Sequence, residues 1–365
     1  MFRRKNNGLL SDGYIWMILA GFLYAFGRMT MTNGALLETI YPVRANRWLI
    51  RFLSNLTGIV PFSLGEALLY FHVLLAVVLL ITLVIRIFKG GFFSLAYRIL
   101  SYAALLYVLF MLIFGLNYNR SSVRDYVGLE STYYGTGELV SMNKALIGKA
   151  NALREEVSEN REGVFSYESS RIDIMKNAEE AYSRLGEDYP VFQGSYGMAK
   201  GILLSQPMNY TGITGVFMPF TGEANVNVKG PDLLFPATVL HEMAHQRGVA
   251  YEDEANYMAF LASLYHSDVN YRYSGTVLAL INSMNALYAE DKDLFKELYG
   301  TYSEGLKRDL QAYDEFYKPY EGEVEKAATK VNDTYLKGNG QVSGVKSYGE
   351  MVDLLLEQFI QKGTI

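Results

Sequence analysis

Two of the four histidines in this 365-residue chain lie four positions apart, within the segment VLHEMAHQRG. The longer run PDLLFPATVLHEMAHQRG predicts a helix, because Pro236 suits a first helical turn and Gly248 suits the position after a helix end. On that helix His241 and His245 project from one face, one turn apart. Two such imidazoles can hold one zinc ion, and the adjacent Glu242 can take a proton from metal-bound water. The spacing therefore predicts an H-E-x-x-H zinc site; the alternative is a polar helix pair that binds no metal.

A catalytic zinc site takes three protein ligands and leaves one position open. The next predicted helix, YEDEANYMAFLASLYH, supplies two candidate carboxylates. Glu252 shares its helix face with small residues, among them Ala255 and Ala259, which allow close packing on the metal-binding helix. Glu252 is therefore the predicted third ligand, and Asn256, one turn further on, is the predicted hydrogen-bond partner of a ligand. Glu254 is the alternative third ligand, and the acid that binds no metal would favour the helix dipole.

One segment of the polar part departs from the helical pattern. In GVFMPFTGEANVNV, the residues Glu223, Asn225 and Asn227 alternate with apolar residues, which is the periodicity of a strand. Pro219 in the same run favours a strand at the edge of a sheet, because proline cannot donate to a ladder. Most of the remaining polar sequence has apolar residues at helical spacing. The sequence therefore predicts a mostly helical α+β domain with a small sheet, and the chain as a whole is predicted to be mainly α.

Three apolar segments near the N-terminus predict membrane-spanning helices at about 14–31, 67–85 and 99–116. The basic start MFRRKN and the basic residues after the second segment favour a cytoplasmic N-terminus. Three spans then put the rest of the chain outside the cell. The predicted organisation is a membrane region over 1–116 and an extracytoplasmic domain over 117–365, in a multi-pass protein of the cell membrane.

The segment VRANRWLIRFL lies between the first two predicted spans. Its arginines, Arg44, Arg47 and Arg51, are spaced by three and four positions, with apolar residues between them. This pattern predicts an amphipathic helix that lies along the membrane surface, with the three arginines among the lipid headgroups.

The composition limits the classes of site and partner. The chain has no cysteine, which excludes disulfides and thiolate zinc sites, so a metal ion must be held by His, Asp or Glu. The formal net charge is -5, and the polar part has no basic stripe. This charge distribution argues against nucleic acid as a partner.

Two resemblances follow from these motifs. His241, Glu242 and His245 resemble the zincin metallopeptidases, and the E-D-E-A-N run from Glu252 is similar to the downstream motif of the gluzincin branch. The interval before Glu252 is shorter than in the thermolysin-like pattern, and Tyr251 stands where metzincins have a third histidine. Over nearly its whole length, the chain also resembles an uncharacterised bacterial family with three N-terminal spans and a zincin-like domain. The segments that carry this second resemblance are GLNYNR, PFTGEANVN, HEMAHQRG, EDEAN and YLKGNGQVSGVKSYG.

The resemblance implies a membrane-anchored, zinc-dependent metallopeptidase that acts outside the cytoplasmic membrane. One Zn²⁺ ion would be held by His241, His245 and Glu252, while Glu242 activates the attacking water. The expected partners are a peptide, protein or cell-wall peptide substrate and the lipid bilayer. The alternative is a zinc-binding module that senses a cell-surface ligand without turnover. Glu242 favours the enzyme, because a site that only holds zinc does not need this carboxylate.

The resemblance also suggests where a substrate would bind. In zincins an edge strand above the metal pairs with an extended substrate, which makes Glu223, Asn225 and Asn227 candidate substrate-binding residues. The alternative is an ordinary sheet edge whose polar side faces water. Tyr348 and Arg247 are candidate donors to the oxyanion that develops on the substrate carbonyl, with structural roles as their alternative.

Overall fold

The structure, a computed structural model, describes residues 13–341, 343–344 and 350–365. It is mainly helical with one small sheet, which confirms the predicted class. The basic start MFRRKN lies outside the described residues. The α-helices are α1 (Gly13–Thr30), α2 (Gly34–Ile40), α3 (Val43–Gly58), α4 (Leu64–Lys89), α5 (Phe92–Ile113), α6 (Val123–Val127), α7 (Thr136–Glu156), α8 (Arg171–Asn177), α9 (Glu179–Asp188), α10 (Ser205–Met208), α11 (Phe235–Gln246), α12 (Glu252–Tyr265), α13 (Val269–Glu290), α14 (Lys292–Tyr299), α15 (Glu304–Tyr317), α16 (Glu323–Gly338) and α17 (Met351–Lys362). The strands are β1 (Lys200–Gly201), β2 (Gly215–Met218) and β3 (Glu223–Val226).

Within the described residues, two helices are long and apolar enough to cross a membrane: α4, with 26 residues, and α5, with 22. The second predicted span, 67–85, lies inside α4, whereas α5 begins earlier than the third predicted span and ends at Ile113. The first predicted span is helical as α1 but does not reach the same apolar character, because α1 carries Arg28 and three glycines. Leu23 and Phe26 of α1 pack instead against α5.

Helix α3 contacts the polar part of the chain along one side. Arg47 is built into this contact: its Nε donates to the Arg247 carbonyl at 2.7 Å, and its guanidinium lies over the Phe192 ring at 5.4 Å. The prediction that Arg47 lies among lipid headgroups is therefore wrong, because its donors are satisfied by backbone carbonyls of the polar domain. Arg44 and Arg51 are exposed.

The sheet has the order β1-β3-β2, with β1 parallel and β2 antiparallel to β3. The segment Glu223–Asn227 was predicted as an edge strand, and this prediction is wrong, because β3 is the middle strand and all of its residues are buried. Pro219 lies in the turn that joins β2 to β3, so it interrupts no ladder. Gly222 closes the same turn with a φ of +65°, a conformation that glycine adopts without strain. The edge strands are β1 and β2.

The main hydrophobic core surrounds α11 and α12 and includes residues of α7, α9, α13 and α17. Val239 and Leu240 of α11 are fully buried, as are the small residues Ala255 and Ala259 of α12. Small side chains at a helix contact allow the two backbones to approach, as the sequence predicted for this pair. Burial of each large apolar side chain contributes about 1.5–3 kcal/mol, so the core holds α11 and α12 firmly in place.

Candidate metal centre and cleft

The rings of His241 and His245 meet the Glu252 carboxylate at the contact of α11 with α12. The two Nε2 atoms are 3.2 Å apart, and Glu252 Oε2 lies 3.2 Å from His241 Nε2 and 3.6 Å from His245 Nε2. A tetrahedral zinc ion with ligands at 2.0–2.1 Å separates its ligand atoms by about 3.3 Å. The three donor atoms therefore have the mutual spacing that one zinc ion requires, and they leave the fourth position to the cleft.

The opposite side of each ring is held by an oxygen acceptor. His241 Nδ1 lies 2.9 Å from Asn256 Oδ1, and His245 Nδ1 lies 2.7 Å from the Val249 carbonyl. Both Nδ1 atoms therefore donate, which leaves a lone pair on each Nε2 of the neutral rings. Two lone pairs 3.2 Å apart repel each other unless a cation lies between them. The structure thus places Asn256 where the sequence predicted a ligand's hydrogen-bond partner.

A tight connection brings Glu252 back to the histidine pair. Gly248 has a φ of +83°, and its N–H donates to the His245 carbonyl at 3.0 Å, while the Val249 N–H donates to Ala244 at 3.2 Å. This arrangement ends α11 and reverses the chain, as expected when glycine follows a helix. Because the reversal is so short, α12 begins at Glu252, next to the turn of α11 that carries His245. The short interval between His245 and Glu252 is therefore compatible with a common site.

The alternative ligand, Glu254, lies on another side of α12. Its carboxylate accepts hydrogen bonds from Ser122 Oγ at 2.6 Å and from the Val123 N–H at 3.0 Å. Burial raises the pKa of Glu254 to about 7. The structure thus groups Glu252, and not Glu254, with the histidines. Glu254 instead fastens the start of α6 to α12.

The electrostatics of the site favour positive charge between the rings. Burial lowers the pKa of His245, but the carboxylates of Glu252 and Glu242 outweigh burial and raise that pKa to about 9. Burial likewise raises the pKa of Glu252, and the two histidines outweigh it and lower that pKa well below its usual range. A group of buried residues that stabilises a cation in this way is a candidate functional site.

Glu242 is buried beside the ligands, with its carboxylate against β2. A Cβ added to Gly215 would lie 2.7 Å from Glu242 Cγ, so β2 can pass the carboxylate only with glycine at this position. Glu242 Oε2 has no hydrogen-bond partner among the described residues. Burial raises the pKa of Glu242 to about 7, which suits a general base at neutral pH.

A cleft of about 750 Å³ opens above the three ligands and Glu242. One wall is β2, a second comes from the end of α5 and the turn after it, and a third is α16. Thr214 accepts a hydrogen bond from the Asn227 N–H, and the alternation of an antiparallel strand leaves the main-chain groups of Gly215 and Phe217 facing away from β3. The cleft therefore borders a strand edge that can pair with an extended chain.

Two tyrosines that sequence reasoning missed lie in this cleft. Tyr118 follows α5, and Tyr335 belongs to α16, where its hydroxyl makes a hydrogen bond with the Tyr118 side chain. Burial raises the pKa of Tyr335 to about 12, and the charge of Glu252 acts in the same direction. The segments GLNYNR and YLKGNG contain these residues, but only the tertiary fold brings them to the histidines.

The structure does not bring the predicted strand residues into the cleft. Glu223 pairs with Lys200 and accepts hydrogen bonds from the first backbone N–H groups of α4. Asn225 donates to the Glu223 carbonyl, and Asn227 donates to Asn209 Oδ1. These side chains are buried and do not line the cleft, so their role in substrate binding stays a prediction without support from the geometry.

The two predicted oxyanion donors also lack support. Arg247 is fully buried, donates to the carbonyls of Phe192 and Met243, and lies 4.0 Å from the centre of the Tyr182 ring. It stabilises the end of α11 and does not line the cleft. Tyr348 lies outside the described residues.

Fold and site together define a mainly helical protein with two apolar helices of membrane length and a largely buried His-His-Glu group. A family model described as a protein of unknown function (DUF3810) matches residues 41–356. Because this match covers most of the chain, the protein belongs to the DUF3810 family. No curated protein and no solved structure is significantly similar to the chain.

Proposed function

We propose that this protein is a membrane-anchored, zinc-dependent hydrolase of the zincin type that cleaves peptide bonds. The observation that carries the proposal is the convergence of His241 Nε2, His245 Nε2 and Glu252 Oε2 at the spacing of a zinc site. The adjacent Glu242 has a free carboxylate oxygen, and the cleft offers a strand edge for a substrate. A site that only stored zinc would need neither.

Each residue has a defined task in this proposal. When bound, zinc would acidify a water molecule and polarise the substrate carbonyl. Glu242 accepts the water proton as the oxygen attacks the carbonyl carbon, and it returns a proton to the amine nitrogen as the C–N bond breaks. Asn256 keeps the His241 ring oriented through its hydrogen bond to Nδ1.

The cleft walls would position the substrate. An extended peptide adds to β2 by pairing with the outward main-chain groups of Gly215 and Phe217. On the opposite side, the hydroxyl pair of Tyr118 and Tyr335 supplies donors for the oxyanion that forms on the carbonyl. These groups replace the strand and oxyanion residues that the sequence alone suggested.

The membrane arrangement is part of the proposal. Helix α4 exposes apolar side chains along its length, which is stable in lipid and costly in water. Its first turn is fastened to the polar domain by Glu223, whereas its last turn carries Arg86 and Lys89. Because positive residues favour the cytoplasmic side, the polar domain would lie outside the cell. We extend this to three spans, with the exposed apolar face of α1 as the third.

The test uses full-length protein purified in detergent, with metal analysis and a peptide-library cleavage assay. Wild type should hold one zinc ion per chain and cleave peptides. Glu242→Gln should keep the zinc and lose at least about 100-fold in turnover, because it can no longer accept the proton. Glu297→Gln, on the exposed side of α14, is the matched control and should change neither quantity. Zinc binding without any cleavage would favour a sensing module over an enzyme.

A further inference from the structure

The candidate metal site lies directly at the end of a helix of membrane length. Helix α5 ends at Ile113, and the next residue, Phe114, contacts the His245 ring with a centroid distance of 5.9 Å. Phe114 also contacts Phe217 of the cleft edge, with ring centroids 5.1 Å apart. Phe110, in the last turn of α5, lines the same cleft. Phe114 therefore connects the end of the apolar helix to the His245 ring by direct contact.

The second apolar helix is fastened to the same part of the cleft. The Glu223 carboxylate accepts hydrogen bonds from the N–H groups of Leu64, at 3.3 Å, and Gly65, at 2.6 Å, where α4 begins. A Cβ on Gly65 would lie 2.7 Å from Met218 Cβ, so the end of β2 packs directly on the first turn of α4. The end of α5 therefore lines the cleft, and the start of α4 packs against the strand that borders it.

Exposed apolar residues also surround the start of α4. Ile59 is 79% exposed, Leu203 is 84% exposed, and Phe62 lies between α3 and α4 with more than half of its surface exposed. The Leu203 N–H donates to the Glu66 carboxylate in the first turn of α4 at 2.7 Å, so this protruding leucine is held beside the helix. Trp48 on the outer side of α3 is also exposed. Such aromatic and aliphatic residues lie stably at the boundary between headgroups and acyl chains.

We infer that the substrate of this site is the membrane-proximal segment of a membrane-anchored polypeptide. This inference rests on the proposed hydrolase function and adds its substrate class. The segment would leave the bilayer beside α4 and α5 and extend along β2, with its apolar side chains against Phe110, Phe114, Phe217, Met218 and Phe220 of the cleft. Water adds across one peptide bond of this segment, so that its OH goes to the carbonyl carbon and its hydrogen to the amine. The products are a shortened membrane anchor and a released chain.

The position of the cleft, beside the ends of the two apolar helices, favours this substrate over a free peptide. Each extended residue spans about 3.3–3.6 Å, so a chain that leaves the bilayer needs only a few residues to reach the ligands. Anchoring also confines the substrate to the membrane surface, which raises its effective concentration at the cleft. A long tether or a soluble chain loses one or both of these advantages.

The experiment places zinc-loaded, full-length protein in proteoliposomes with single-span reporter polypeptides. Each reporter carries a randomised cassette of about eight residues that begins either about five or about forty residues from its span, reaches of about 17 and 140 Å when extended. The same cassette library is also offered on a soluble carrier, and Glu242→Gln protein defines the background. Cleavage products are identified and timed by mass spectrometry.

The near cassette should be cleaved at least about tenfold faster than the far cassette and the soluble library. Equal rates for near and far cassettes, or faster cleavage of the soluble library, would overturn the inference and leave the hydrolase proposal standing. If zinc-loaded wild type cleaves none of the three above the Glu242→Gln background, both the inference and the proposed function fail.

Discussion

Gly215 and Glu242 form the closest contact between the strand edge and the candidate base. Gly215→Ala should displace the carboxylate, because the added Cβ would lie 2.7 Å from Glu242 Cγ. We expect zinc content to stay unchanged and turnover to fall about 100-fold, as a displacement of about 1 Å can cause. Gly137→Ala is the control, since no atom lies within 4 Å of the position of its added Cβ. Turnover of Gly215→Ala at the wild-type rate would remove Glu242 from the role of base.

Glu252 and Glu254 of α12 allow a direct comparison of the predicted ligand with an acid that lies away from the histidines. Glu252→Gln should weaken zinc binding at least about 100-fold, because it removes the carboxylate that completes the His-His-Glu group. Asn256→Ala should weaken it about 10–100-fold by releasing His241 Nδ1. Glu254→Gln should leave zinc affinity unchanged. Zinc affinity is measured by competition with a chromophoric chelator, and the reverse ranking of Glu252 and Glu254 would contradict the site.

At the residue scale, prediction from sequence succeeds where the interaction is local. His241 and His245 share a face because they are four positions apart on one helix, and the small residues of α12 indicate which acid faces them. The sequence could not show the partners of Glu223, because they are distant along the chain: Lys200 is 23 positions away and Gly65 is 158 positions away. No spacing rule connects residues that meet only after the sheet has packed against α4.

At the element scale, the strand periodicity of β3 was visible in the sequence, but the order of the strands was not. Pro219 led to the prediction that the segment after it is an edge strand. Pro219 in fact lies in the turn before β3, and the edge strand of this hairpin is β2. The four residues of β2, GVFM, are too short and too uniformly apolar to show alternation. Glu223 links this hairpin to α4 by accepting hydrogen bonds from the first N–H groups of that helix, and its buried ion pair with Lys200 balances its charge.

Breaking that ion pair should loosen the hairpin from α4. Glu223→Gln leaves Lys200 buried without a counter-charge, and we expect it to lower the free energy of unfolding by about 3–5 kcal/mol. The double variant Lys200→Met with Glu223→Gln should recover part of the loss, because no unpaired charge remains. Lys296→Met removes the exposed pair with Asp293 and should change stability little. Denaturant unfolding in detergent measures all three, and equal effects of Glu223→Gln and Lys296→Met would contradict the buried clamp.

At the scale of the whole molecule, composition already separated the chain into an apolar first third and a polar remainder. The structure adds how the two parts are joined: Arg47 of α3, Glu223 of β3 and Phe114 after α5 all cross the boundary. The sequence could not show these contacts, and the predicted division of the chain near residue 116 does not take them into account. The candidate site therefore depends on the end of α5 for one wall of its cleft.

The orientation of this joined structure can be tested in cells, since the chain has no cysteine of its own. Single cysteines would replace Lys89, at the end of α4, and Glu297, on the polar domain. A membrane-impermeant maleimide should label Glu297→Cys in intact cells and Lys89→Cys only after permeabilisation, because basic residues favour the cytoplasmic side. The cysteine-free parent protein is the labelling control. Labelling of Lys89→Cys in intact cells would invert the topology and move the cleft, with any peptide it cleaves, to the cytoplasmic face of the membrane.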